Sequence, residues 1–115
     1  MKVIYKYRLP FMETAEVVMP VGAKIIRLED EKTGPSAGQI SIWAIVDTEA
    51  PKETRVFKLF KTGGEMPDNI HEAVYRGCGA IHIQMELMMY VFEFPNTARP
   101  YVEQAPFDWT TVAEK

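Results

Sequence analysis

Apolar and polar residues alternate along most of the first half of the chain. In Val3-Ile4-Tyr5-Lys6-Tyr7-Arg8-Leu9 the odd positions carry Val, Tyr, Tyr and Leu, while Lys2, Lys6 and Arg8 take even ones. A period of two sends these sets to opposite faces of a strand, one apolar and one basic. Pro10 has no amide hydrogen for a sheet ladder and ends the strand. Thr14 to Met19 predicts a second strand with Ala15, Val17 and Met19 on one face, and Pro20-Val21-Gly22 predicts a turn. Ala23 to Asp30 predicts a third, with Ile26 and Leu28 on one side and Arg27 and Glu29 on the other.

The polar, breaker-rich segment 31–38 predicts a mobile hairpin loop. Gln39 to Asp47 follows as the strongest strand pattern: Ile40, Ile42, Ala44 and Val46 share one face, Ser41, Trp43, Ile45 and Asp47 the other. Its β-branched content suits the centre of a sheet. After a turn over 48–52, Glu53 to Lys61 predicts a fifth strand of a different kind. Phe57 and Leu59 face one way, between Arg55 and Lys61, while Val56, Lys58 and Phe60 face the other. A strand with bulky apolar groups on both faces must be covered on both.

Residues 62–69 read as a loop, with one helical turn starting at Pro67. Ala73 to Ile83 and Leu87 to Phe94 then predict the arms of a final hairpin that turns near Gln84-Met85-Glu86. Gly77 and Gly79 mark a bulge in the first arm, and Met88, Tyr90, Phe92 and Phe94 line one face of the second. Beyond Phe94, Pro95, Pro100 and Pro106 punctuate a tail in which Asp108 is placed to cap a short helix through Ala113. The pattern therefore predicts a mainly β fold, a compact antiparallel β-sandwich or roll of about seven strands with at most short helices. Residues 1–95 form its single domain, and 96–115 are a Pro-punctuated C-terminal arm packing on that domain or on a neighbouring subunit.

Composition narrows the function classes. The chain has 115 residues, 47% of them hydrophobic, which suits one modest core. Its single cysteine allows no intrachain disulfide, and a net charge of −3 speaks against a general nucleic-acid coat. Charges interrupt the N-terminal run at every second position, so no secretory signal is predicted. The longest uncharged stretch, Thr33 to Val46, is too short for a membrane span and contains Gly34, Pro35 and Gly38. The cytoplasm is the expected compartment.

No motif predicts catalysis. The histidines and cysteine are His71, Cys78 and His82, and four residues along one strand separate the last two by about 13 Å, too far for one ion. No metal or cofactor is implied. Cys78 lies between two glycines, a packing pattern rather than an activated nucleophile, and no G-x-S-x-G occurs. Lys61-Thr62-Gly63-Gly64 has the order of a P-loop reversed. What remains is binding chemistry. Arg55, Lys58 and Lys61, together with the Lys2, Lys6 and Arg8 face, form an anion site if the two strands adjoin, and otherwise merely solvate the outside of a sheet. Met85, Met88 and Met89 beside Tyr90 and Phe92 suit an adaptable surface or an irregular core. Because the later strands are apolar on both faces, a homo-oligomer or exchanged arm is expected, with Tyr101, Phe107, Trp109, Met88 and Tyr90 as interface candidates.

Three pieces of the chain, in order and spacing, resemble a family of small uncharacterised proteins of bacteriophages and prophages. They are Ile4-Tyr5-Lys6-Tyr7-Arg8-Leu9-Pro10, then Trp43-Ala44-Ile45-Val46-Asp47 followed by Ala50-Pro51, and lastly Tyr90-Val91-Phe92-Glu93. The resemblance covers about residues 3 to 95, its Tyr-Lys-Tyr-x-Leu-Pro opening being the most specific part, and it implies origin and fold rather than residue roles. A phage origin implies a non-enzymatic binding protein that counters a host system, by occluding a host protein or by sequestering a small anionic ligand such as a phosphorylated nucleotide signal. The alternatives are a small nucleotide-processing enzyme and a virion or assembly accessory protein.

Overall fold

The structure, a computed structural model, describes residues 1–10, 12–32, 38–82 and 85–95. Most of the predicted 31–38 loop and the whole arm from residue 96, with Tyr101, Phe107, Trp109 and the helix expected from Asp108, lie outside the described residues.

The strands are β1 (Lys2–Leu9), β2 (Thr14–Pro20), β3 (Lys24–Asp30), β4 (Ile40–Asp47), β5 (Lys52–Lys61), β6 (Val74–His82) and β7 (Glu86–Phe94). They form two antiparallel sheets, ordered β1-β4-β3 and β2-β5-β7-β6. The fold is mainly β, as the alternation predicts. A single 3-10 turn, Asp68–Glu72, follows Pro67. Gly22, with φ of 82°, makes the turn between β2 and β3 that carries the chain from one sheet to the other.

Each sheet hides one face against the other. Ile40, Ile42, Ala44 and Val46 of β4, all but fully buried, join Ala15, Val17 and Met19 of β2 in one cluster with Phe57, Leu59 and Val91 of the four-stranded sheet. β4 is the centre of its sheet, and the inward sets of β1, β2, β4 and β5 are those the period of two selects. Two expectations need correction. β3 has a bulge between Ile25 and Arg27, so Ile26 is the extra residue and is 46% exposed; Ile25, not Ile26, packs with Leu28 against the core. Tyr5 shares the inward parity of Tyr7 and Leu9 but is 47% exposed, because β1 is an edge strand. Of the methionine cluster only Met89 is buried; Met85 and Met88 are exposed.

The two sheets meet along β3 and β6. Here the Ala80 amide donates to Asp30 Oδ2 at 2.7 Å. Burial opposes the Asp30 charge, but that backbone hydrogen bond outweighs it and draws the carboxyl below its ordinary value. The bulge in β6 falls between Tyr75 and Gly77, as the glycines suggest, and Gly77 takes φ of 136°. Gly79 serves a purpose the sequence does not announce. A Cβ there would lie 3.1 Å from Asp30 Cβ and 3.3 Å from Ile40 Cγ1, tighter than most packed Cβ contacts. Gly79→Ala is therefore expected to destabilise the fold by about 1–3 kcal/mol through overpacking. A thermal melt would show this as a fall in Tm of several degrees, and an unchanged Tm would mean that the seam is loose.

Candidate functional site

The outer face of the three-stranded sheet is built in rows by the register of its strands. Lys6 of β1 and Arg27 of β3 both lie opposite Trp43 of β4. The indole is half-buried, with the Lys6 ammonium 5.6 Å and the Arg27 guanidinium 4.6 Å from its ring centroid, within cation–π range. The next row sets Ile4, Ile45 and Lys24 side by side, and Lys2 lies opposite Asp47 beyond it. Ile4 is well exposed, so the face is basic with an aliphatic and aromatic strip through it.

Acidic neighbours hold the two cations in place. Lys6 Nζ lies 2.7 Å from Glu31 Oε2, and Glu31 also accepts the hydroxyl hydrogen of Ser41, a fully buried residue, at 2.9 Å. Arg27 pairs with Glu29 two residues along β3, and that hydrogen bond raises its pKa further. Both pairs sit at the surface, where such contacts contribute little to stability and exchange readily with water or other anions.

The five cations the sequence singles out do not converge. Lys6 and Arg8 lie on the outer face of one sheet, and Lys58 lies on the outer face of the other, 4.8 Å from the centroid of the Phe94 ring. The anion site that required the two strands to adjoin is thus not formed, because the sandwich core separates their faces. Lys61 ends β5 exposed and, with Glu13 and Glu65, lines the polar part of a cavity of about 420 Å³ whose apolar wall is Met12, Leu59, Phe60, Leu87 and Met89. A smaller cavity of about 190 Å³ shares Leu59 and is lined by Leu9, Ile40 and Ile81. Neither cavity gathers the basic residues.

Arg55 has a structural role. It lies on the core-facing side of β5, where Nε and Nη2 donate to Glu93 of β7 at 2.7 and 3.0 Å and Nη1 donates to the Ala23 carbonyl at 2.6 Å. Glu93 also accepts two hydrogen bonds from Arg76 of β6. Cys78 and His82 are exposed, and no group of residues able to hold a metal ion occurs among the described residues.

Residues 1–101 match the model of a family described as a domain of unknown function, DUF7352. The chain belongs to this family. No curated protein and no solved structure matches it significantly. The match takes in all seven strands of the DUF7352 domain and stops within the C-terminal arm.

Of the residues that form the basic row in this DUF7352 protein, the sequence identifies Lys6 as a candidate but not Trp43 or Arg27. The one available signal is the phase of β4, which puts Trp43 on its polar face. That Lys6 and Arg27 flank it follows from strand order and from the bulge in β3, which no local pattern specifies.

Burial alone would raise the Glu93 carboxyl above its ordinary value of 4.5, but the hydrogen bonds from Arg55 and Arg76 outweigh it and hold the carboxyl lower. A depressed folded-state pKa contributes stability that is full above the unfolded value and lost as the pH falls through the folded one. Glu93→Gln is expected to cost about 3 kcal/mol at neutral pH by leaving Arg55 without its counter-charge, and to flatten the acid limb of the stability curve. Urea melts across the acid range would show this. An acid limb as steep as that of the wild type would assign the pH dependence to other carboxylates.

Proposed function

We propose that this DUF7352 protein is a non-enzymatic binding protein whose outer three-stranded face engages the acidic surface of another protein. The observation that carries this reading is the row of Lys6, Trp43 and Arg27, an aromatic ring flanked by two cations across three strands. Large aromatic residues and arginine dominate the energetics of protein interfaces, and charge complementarity sets orientation and encounter rate. Shape favours a protein partner over a small ligand. Small ligands bind where concave walls bury most of their surface, whereas this row lies on the face of a sheet and lines neither cavity described above. The resemblance to phage proteins supports a host protein as the partner, with antagonism of a host defence system as the consequence.

The reading is tested by capture from bacterial lysate with the wild-type chain and with a Lys6→Glu, Arg27→Glu variant of unchanged Tm. A partner held by the wild type at low salt, released at high salt and lost from the variant is expected. The same partners on both proteins would overturn the assignment of the face. A rise in Tm with a nucleotide panel, absent from the variant, would replace the protein partner with a small phosphorylated ligand.

A further inference from the structure

The two sheets end in four edge strands, β1 and β3 in the smaller and β2 and β6 in the larger. Three of them carry a feature that blunts pairing with a further chain. β3 and β6 each contain a bulge, and the two meet where the Ala80 amide donates to Asp30. β2 ends in Pro20 and presents Glu16 on its exposed side. β1 differs. It pairs with β4 over eight residues without a break in register, and it has no strand on its other side among the described residues. In an antiparallel pair, alternate residues bond the neighbour and the rest aim their N–H and C=O groups away from it. β1 therefore presents about 27 Å of strand edge.

We infer that β1 takes up an extended acidic segment of the partner as an additional strand. The inference rests on the reading that the outer face of the smaller sheet engages an acidic surface, and it names the backbone form of that surface. Both sides of β1 fit such an occupant. On the outer side Lys2, Lys6 and Arg8 stand against two carboxylates, Asp47 opposite Lys2 and Glu31 on Lys6, so positive charge is in surplus along the edge. The row of Arg27, Trp43 and Lys6 would continue onto an acidic residue of the added strand. On the inner side Val3 and Tyr7 are half-buried and Tyr5 is 47% exposed, with the two tyrosine rings edge to face at 6.4 Å. An added strand would cover the flank of this pair with apolar side chains. The occupant thus alternates acidic residues with apolar ones, its backbone supplying affinity and its alternate side chains specificity. A second copy pairing antiparallel through β1 would instead set one basic edge beside the other, which like charges disfavour.

The probe is a peptide of roughly ten residues, long enough to match β1, with blocked ends and glutamate alternating with valine or tyrosine. By fluorescence anisotropy the wild-type chain is expected to bind it at least about tenfold more tightly than a peptide of the same composition with its glutamates clustered at one end. A folded Lys6→Glu variant should bind it at least about tenfold more weakly than the wild type. Methylating the amide nitrogens of alternate peptide residues gives the signature of strand addition. One set, on the edge facing β1, should abolish binding, and the other set should leave it within about twofold. Equal effects of the two sets would overturn strand addition, as would a failure of the alternating peptide to bind. If Lys6→Glu still weakens a peptide that is indifferent to methylation, the acidic-surface reading stands without the added strand; if it does not, that reading falls too. In the protein, the β1 amides that exchange fast in the free chain should slow at least about tenfold in saturating peptide, and unchanged exchange would count against the inference.

Discussion

Strands β5 and β7 carry bulky apolar residues on both faces, and a two-layer sandwich can hide only one of them. The inner set, with Phe57, Leu59 and Val91, packs against the β4 face of the smaller sheet. At roughly 1.5–3 kcal/mol for each large side chain removed from water, that burial is the main favourable term available to a chain whose single cysteine allows no intrachain disulfide. The outer set, centred on Phe92, has no third layer of strands above it among the described residues. On that face Tyr75 and Met88 are exposed and Phe60, Tyr90 and Phe92 are half-buried.

Charge is distributed by the same geometry. Arg55 points inward at the end of the sandwich, where an unpaired guanidinium would be costly, and its donors are taken up by Glu93 and the Ala23 carbonyl. It ties β5 to β7 and to the chain entering β3, while Arg76 shares the same carboxylate from β6. Lys6 and Arg27 point into water. Their acidic neighbours are exchangeable there, so the same type of charge that fastens the interior stays available for recognition on the surface. The separation is physical: desolvation makes one pair indispensable and solvation makes the other replaceable.

The strand segments and their inward faces were legible in the sequence because period-two alternation is a local property, written residue by residue. Ala15, Val17 and Met19, or Ile40, Ile42, Ala44 and Val46, need no knowledge of a partner to be placed on one side. The third strand was misread for the same reason. Its bulge inserts Ile26 without any glycine or proline to announce it, and the phase reverses from that point. Of the site, the basic character of β1 and the shared face of the β7 aromatics were legible; the row through Trp43 was not, because it joins residues 6, 27 and 43 across two strand pairings.

By itself, then, the amino-acid order determined that this chain makes strands, which residues share a face in most of them, and that the later strands carry apolar residues on both faces. Only the tertiary structure decided which strands are neighbours. With that came the separation of Lys6 from Lys58 on opposite outer faces, the structural use of Arg55, and the close approach at Gly79 that would crowd a side chain. These are long-range contacts between segments tens of residues apart, and they arise from how two twisted sheets pack rather than from any preference the separate segments express.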